Sequence, residues 1–291
     1  MLKRFAFLLL IVCALPFQAA AQNVAALKVA TLPANVDSTD FAIKFRAKLA
    51  EIKQFKPSDS DAASAAARAV LQAPENWFNL TLDAAKDLGA AIDCDYFFVI
   101  EHKVLPRSSF AKPEYFESDA VVFLASARTG RLIAWRDRYF EANSAANALK
   151  MQLADLPELT ETFAAELVAA AQKERQERRA APRAKTVMLG ELPDETDKKF
   201  RQPLPFRRLK PEYTAAARRL EREATVDIEV ELDARGNVVN TEIVRWAGFG
   251  LDESVTDAVK KMQFRPALRD NSPVGIKVLL RYNFRDSKQE Q

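Results

Sequence analysis

Two segments near the C-terminus carry apolar residues at every second position, and no other sequence feature constrains the fold as strongly. In residues 225–233 the alternating apolar residues are Val226, Ile228, Val230 and Leu232. In residues 276–284 they are Ile276, Val278, Leu280, Tyr282 and Phe284. Successive side chains of a strand point to opposite faces, so each segment predicts a β-strand with one buried face and one solvated face.

The residues around these segments predict a small domain of two helices and three strands. A short helix over residues 211–222 begins with a proline, and a glycine-containing turn over 233–237 leads into a strand over 238–246. An amphipathic helix over 251–264 precedes the last strand, and its buried stripe is Val255, Ala258, Val259 and Met262. This order predicts an αββαβ domain over residues 207–286.

The first part of the chain predicts a second domain, of mixed α/β type, over residues 23–172. Its predicted strands cover residues 25–32, 96–104, 120–127 and 131–140. Its predicted helices cover residues 39–52, 61–72, 82–92 and 144–172. Residues 173–206 are charged and contain prolines, which indicates a helix tail followed by an exposed linker. The predicted fold class is therefore mixed α/β or α+β, with two domains.

The first 21 residues have the order of a secretory signal peptide. Lys3 and Arg4 precede an apolar run from Phe5 to Phe17, and small residues follow at 19–21. Cleavage is expected between Ala21 and Gln22, which predicts a periplasmic protein. In the alternative, residues 5–21 stay uncleaved and anchor the chain in the inner membrane. Only in that alternative does the chain contact a membrane.

Charge balance and motif content argue against two classes of function. The chain has 43 Lys and Arg against 40 Asp and Glu, a formal net charge of +3, whereas nucleic-acid-binding domains usually carry a strong basic excess. There are only seven glycines, and neither glycine-rich phosphate-binding loop of nucleotide-binding proteins occurs. The sequence therefore predicts no nucleic-acid partner and no cofactor.

Few residues are candidates for catalysis. His102 is the only histidine and lies in a predicted strand, where a surface or cross-strand role is expected. Cys94 is the only cysteine left after cleavage and is expected to be a small core residue, so no internal disulfide and no Cys/His zinc site is predicted. Asp227, Glu229 and Glu231 share one strand face, which we interpret as solvated rather than as a glycosidase pair. The sequence thus predicts no catalytic residue and no metal site.

One alternative of another class stays open, an envelope enzyme or ligand-binding protein with a pocket in residues 23–172. A deep polar pocket beside His102 or Cys94 would favour this alternative, and a filled core would disfavour it. The residues Asn79-Leu80-Thr81 match a glycosylation sequon, which we interpret as coincidental.

Several motifs of the C-terminal part, in the right order, are similar to those of the TonB C-terminal domain family. The predicted first helix carries Pro211-Glu212-Tyr213-Thr214, and the first hairpin turn is the acidic, glycine-containing stretch from Asp233 to Val238. The second helix begins with Gly248-Phe249-Gly250-Leu251-Asp252 and closes with Gln263-Phe264-Arg265-Pro266-Ala267. Ala224-Thr225-Val226 stands where a Gly-Thr-Val opening is common. The resemblance covers residues 205–286.

This resemblance implies a module that binds a partner strand along a sheet edge. In TonB the partner is the TonB-box strand of an outer-membrane receptor, so the implied partner is an outer-membrane β-barrel receptor or another envelope protein. The implied edge is the last strand, residues Ile276, Lys277, Val278, Leu279, Leu280, Arg281, Tyr282, Asn283 and Phe284. Lys277, Arg281 and Arg285 would line its solvated face; equally, such cations protect sheet edges against aggregation.

The rest of the chain departs from TonB, whose uncleaved anchor engages ExbB–ExbD. A cleaved signal, an extra domain and a modest linker predict a non-enzymatic periplasmic adaptor of the TonB family, with a link to TonB-dependent transmembrane transport. An anchored energy transducer working with ExbB–ExbD is the alternative. The first domain is faintly similar to TolB amino-terminal-like envelope domains, on residues 90–99 and on the hairpin over 129–135.

Overall fold

The computed structural model describes residues 26–71, 77–180 and 200–285. The predicted signal peptide, with its cleavage site between Ala21 and Gln22, lies outside these ranges. Within them, no helix combines the length and the apolar character that crossing a bilayer requires. Helices and strands are both abundant, and the strands form several sheets. This confirms the predicted mixed fold class.

The first part of the chain is built on a five-stranded sheet. Its strands are β1 (Leu27–Pro33), β2 (Phe55–Pro57), β3 (Tyr96–Arg107), β4 (Tyr115–Ser126) and β5 (Leu132–Ala142). They lie in the order β2-β1-β3-β4-β5, so β5 is an edge strand. β1 is parallel to both of its neighbours, whereas β3, β4 and β5 form an antiparallel meander.

Four helices cover this sheet. They are α1 (Thr39–Ala50), α2 (Ser60–Leu71), α3 (Leu82–Ile92) and α4 (Ala145–Ala180). α1 and α4 cover one face, where the rings of Phe45, Phe98 and Phe163 meet edge to face at centroid distances of 5.0 to 6.1 Å. This core explains why residues with helical spacing in α1 and α4 are apolar.

The C-terminal part holds a three-stranded sheet and two smaller ones. Its elements are β6 (Phe200–Arg201), β7 (Leu204–Pro205), α5 (Ala215–Arg219), β8 (Ala224–Leu232), β9 (Val238–Arg245), α6 (Leu251–Lys260), β10 (Phe264–Arg265), β11 (Ala267–Arg269), β12 (Ser272–Val274) and β13 (Ile276–Phe284). The main sheet has the order β13-β8-β9, and α6 packs on β8 and β9. Two small sheets pair β7 with β10, and β6 and β12 with β11.

Both predicted C-terminal helices are shorter in the structure. α5 begins only after Thr214, whose side chain accepts a hydrogen bond from the backbone N–H of Ala217 at 3.2 Å, and Glu221 with a φ of 51° lies just beyond its end. α6 ends at Lys260, although Met262 is buried as predicted. The last residues of the predicted linker, 200–206, include β6 and β7, which pair with strands of the C-terminal part.

One hydrophobic core is shared by the N-terminal and C-terminal parts. The ring of Phe123 on β4 lies 5.7 Å from that of Trp246 and 5.2 Å from that of Phe249. Gly248 permits this approach, because a Cβ atom there would lie 2.3 Å from the Phe123 ring, and its φ of 68° also favours glycine. The second face of the five-stranded sheet is therefore covered partly by α2 and α3 and partly by the C-terminal sheet.

Polar contacts reinforce this shared core. Asn79 binds the backbone of Thr225 through both ends of its amide, and it also donates to the carbonyl oxygen of Trp246 at 2.8 Å. Arg219 binds Asp137 at 2.6 Å and lies 3.3 Å from Asp119. The two parts of the chain are thus joined by directional contacts as well as by apolar packing.

Candidate partner-binding edge

β13 lies at the edge of the C-terminal sheet that points away from the N-terminal part. It pairs with β8 along its whole length, from Ile276 opposite Leu232 to Phe284 opposite Ala224. Within the described ranges no second strand pairs with β13. The strand singled out in the sequence is therefore an edge strand, and its residues are Ile276, Lys277, Val278, Leu279, Leu280, Arg281, Tyr282, Asn283 and Phe284.

The even-numbered residues of β13 face the core. Ile276, Tyr282 and Phe284 are buried, and Val278 and Leu280 pack against the same cluster. These contacts fix the register of the strand, because a slip by one residue would turn every apolar side chain to solvent.

The odd-numbered residues form the solvated face. Lys277 pairs with Glu229 at 3.1 Å and with Glu231 at 3.5 Å, and Arg281 binds Asp227 through Nε at 2.7 Å. Between the two cations lies Leu279, with 53% of its surface exposed. The three carboxylates Asp227, Glu229 and Glu231 thus each have a cation beside them. Glu229 and Glu231 are partly exposed, but Asp227 is buried under Arg245 and Arg281, so the interpretation of a solvated face is wrong for Asp227.

The ion pairs on this face hold their groups in the charged state. Arg281 and Arg245 both donate to the Asp227 carboxylate, and hydrogen bonding from Arg281 is the largest cause that lowers the pKa of Asp227. Glu229 in the same way raises the pKa of the Lys277 ammonium. The side chains beside the β13 edge therefore keep their charges across the neutral pH range.

The backbone groups of β13 that point away from β8 can be identified from one contact. The guanidinium of Arg208 donates to the carbonyl oxygen of Arg281 at 2.6 Å, so Arg281 turns its backbone outward. In an antiparallel ladder the N–H and C=O of one residue point to the same side, and the side alternates along the strand. Lys277, Leu279 and Asn283 therefore also direct their backbone groups outward.

Arg208 is a functional candidate that the sequence did not reveal. Besides its bond to Arg281, its guanidinium lies 5.0 Å from the ring centroid of Tyr282. The contact joins residues far apart in the sequence, and only the two adjacent arginines 207 and 208 before Pro211 could have drawn attention to it. Arg208 occupies one acceptor of an otherwise open edge.

The structure places the two reactive residue types of the N-terminal part in packed surroundings. The His102 ring is buried and stacks on Phe41 at 4.9 Å, and its Nε2 lies 3.1 Å from Ser118 Oγ. Burial lowers the pKa of His102, so its imidazole is neutral at pH 7. Cys94 packs against the shared core, and burial raises the pKa of its thiol to about 12. His102 takes the cross-strand role expected for it, because Ser118 belongs to the neighbouring strand β4.

A cavity of about 210 Å³ lies in the N-terminal part, lined by residues that include Tyr96, Arg128 and Glu174. Glu174 accepts hydrogen bonds there from Arg128 at 3.0 Å and from the Tyr96 hydroxyl at 3.2 Å. Neither His102 nor Cys94 lines this cavity. Across residues 26–71, 77–180 and 200–285, no group of three potential ligands could hold a metal ion.

Asn79, the first residue of the glycosylation sequon, instead joins the two parts of the chain through hydrogen bonds of its side chain. Its amide contacts the backbone of both Thr225 and Trp246, as described above. A sugar on this nitrogen would break both contacts, which agrees with the interpretation of the sequon as coincidental.

Solved structures show limited overall similarity to this chain. The C-terminal domain of TonB from Pseudomonas aeruginosa is 18% identical over a match that covers 32% of this chain and 92% of that one, with a TM-score of 0.26. The lipoprotein GNA1162 from Neisseria meningitidis is 11% identical over 47% of this chain and 99% of its own, with a TM-score of 0.34.

The sequence comparisons concern the C-terminal part. Residues 210–285 match the family described as the Gram-negative bacterial TonB protein C-terminal. Protein TonB of Vibrio cholerae is 32% identical over 78 residues, which are 26% of this chain. The matched stretch spans about a third of that relative, 32% of its length. Because these matches contain the αββαβ elements and the β13 edge, residues 210–285 are a TonB C-terminal domain.

Proposed function

We propose that this protein is a non-enzymatic periplasmic adaptor that binds an outer-membrane partner by strand addition along β13. The observation that carries the proposal is the open edge of a TonB C-terminal domain. Lys277, Leu279 and Asn283 direct backbone groups outward there, and no hydrogen bond to these groups is found within the described residues. An extended segment could bind them as the next strand of the sheet. A link to TonB-dependent transport follows from the same domain and is part of the proposal.

The side chains of the edge suggest which segments would fit. A strand beside β13 would place half of its side chains on the solvated face, next to Leu279 and between Lys277 and Arg281. Both cations are already paired with carboxylates of β8, so they border the binding position without offering an unpaired charge to a partner segment. We therefore expect a partner segment with an apolar residue opposite Leu279 and polar residues on either side.

Site-specific photocrosslinking in the envelope tests this proposal. A photoreactive residue replaces Leu279, which is exposed and makes no ion pair, so the ladder with β8 is not disturbed. The expected product is a crosslink to an outer-membrane β-barrel protein, in which the linked peptide is an extended segment.

The matched control places the same photoreactive residue at Val36, which is 88% exposed and lies in the N-terminal part. Leu279→Pro, with the photoreactive residue moved to Asn283, should strongly reduce the product, because proline removes the outward N–H in the middle of the edge. The proposal fails if no β-barrel protein is linked from position 279, or if position 36 gives the same product.

A further inference from the structure

A groove separates the two sheets on the opposite side of the TonB C-terminal domain. Its walls are two edge strands, β5 of the five-stranded sheet and β9 of the three-stranded sheet. It encloses about 410 Å³, and its lining includes residues 131–135 and 240–243. Five residues of a strand extend over about 13 Å, which is long enough for a short extended segment.

The backbone N–H and C=O groups of a strand point alternately to its two sides, and this alternation shows which of them point into the groove. Asn79 binds both the N–H and the C=O of Thr225, so the odd-numbered residues of β8 face the β9 side. Glu229 and Glu242 are therefore a hydrogen-bonded pair, and Thr241 and Ile243 of β9 direct their N–H and C=O groups away from β8. No hydrogen bond to these outward groups is found in the described parts of the chain.

The opposite wall offers a similar edge. The carbonyl oxygen of Ile100 accepts from Ala34, on the β1 side of β3, so the even-numbered residues of β4 turn toward β5. Trp135 of β5 consequently points its backbone outward, and its carbonyl oxygen accepts from the side chain of Arg136 at 2.7 Å. The N–H of Trp135 has no acceptor among the described residues.

The side chains of the lining favour an uncharged occupant. Ile243, Leu132, Trp135 and Trp246 are apolar. Arg131 binds Glu242 at 2.5 Å, and the Asp252 carboxylate accepts from the N–H groups of Ala247 and Gly248 at 2.8 and 2.9 Å. Lys173 and Glu253 add one cation and one anion to the lining, and burial raises the pKa of Asp252 to about 7, so the lining carries little net charge at neutral pH.

We propose that this groove is a second strand-binding site, which takes an uncharged extended segment of another protein. Such a segment pairs with Thr241 and Ile243 on β9 and with Trp135 on β5, so that it joins the two sheets. The site is distinct from β13, because the two edges lie on opposite sides of β8.

Selection from a phage-displayed library of random short peptides against the full chain tests the proposal. The discriminating variant is Thr241→Pro, which removes one outward N–H and leaves the β8–β9 ladder unchanged, as edge strands tolerate proline at such positions. Peptides with alternating apolar residues should bind the wild type and bind Thr241→Pro about tenfold more weakly. The matched control is Leu279→Pro on β13, which should leave their affinity unchanged.

Amide hydrogen exchange of the wild type gives a readout that needs no variant. A selected peptide should slow exchange at Thr241, Ile243 and Trp135, and not at Leu279. The proposal is overturned if no peptide is recovered, if Thr241→Pro binds the peptides as well as the wild type, or if protection appears at β13 instead. Protection at β13 would contradict the groove site but not strand addition at β13. Conversely, absence of the crosslink from position 279 would contradict strand addition at β13 but not the groove site.

Discussion

The indole N–H of Trp246 donates a hydrogen bond of 3.0 Å to the carbonyl oxygen of Gly130. Trp246 directly follows β9, and Gly130 lies in the turn between β4 and β5, so this bond connects the two parts of the chain. The turn also packs closely on α3, because a Cβ atom on Gly130 would lie 2.0 Å from the carbonyl oxygen of Leu82. Gly130 therefore lies between α3 and the TonB C-terminal domain, in contact with both.

We expect Trp246→Phe to lower the free energy of unfolding by about 2–4 kcal/mol. The substitution leaves the Gly130 carbonyl without its donor in a buried site and removes part of a large side chain. Urea unfolding measures the change. Trp77→Phe is a matched control, because Trp77 is also buried but its indole N–H has no partner among the described residues. Equal costs for the two variants would contradict a contribution from the bond to Gly130.

The carboxylates around Arg219 predict a pH-dependent stability. Burial raises the pKa of Asp119 to about 6, an effect that Arg219 opposes and Asp137 adds to. The folded state therefore binds the Asp119 proton more tightly than the unfolded state does, and this contribution is lost as pH rises from about 4 to 6. Over that range we expect the wild type to lose about 1–3 kcal/mol relative to Asp119→Asn, which cannot titrate. Parallel slopes for the two proteins in urea unfolding would disprove the assignment.

Arg208→Ala should increase partner binding at β13. The substitution frees the carbonyl oxygen of Arg281, which an added strand needs, and removes a side chain that lies across the edge. The yield of the crosslink from position 279 should rise about two- to tenfold, as expected for the release of one competing hydrogen bond. Arg207→Ala changes the same charge without a contact to β13 and serves as the control. If both variants behave alike, Arg208 does not compete for the edge.

The shared core predicts that the whole chain unfolds in one cooperative step. Trp246 and Phe249 would be exposed if the TonB C-terminal domain separated from Phe123, so separation of the two parts would open the core that they share. Calorimetry should give equal calorimetric and van't Hoff enthalpies, and tryptophan fluorescence and far-UV circular dichroism should coincide. Two resolved transitions would show that the parts fold independently.

The fold could be predicted where apolar periodicity is strong. α3 has the predicted bounds, Leu82–Ile92, and β13 has its predicted bounds because each second residue meets the core. For β6 and β7 the sequence predicts a linker instead, since strands of two residues carry no apolar pattern. Ile52 lies beyond the end of α1, although its spacing fits the helix stripe.

The candidate site was predictable only in part. The edge position of β13 followed from motifs and alternation, but the contacts of Arg208 and Asn79 did not, because each connects residues far apart in the chain. The ion clusters of Arg219 and of Arg222 with Glu101 depend in the same way on how the two parts meet. Local sequence patterns carry no information about such long-range pairs.

The attachment of the TonB C-terminal domain has a mechanical consequence. A segment bound along β13 and pulled along its own axis would load the hydrogen bonds to β8 together, in shear. The tension would then reach the N-terminal part directly through Asn79 and Trp246. A pull on the docked segment would therefore be transmitted from β8 to the five-stranded sheet through side-chain contacts between the two parts, rather than along the backbone alone.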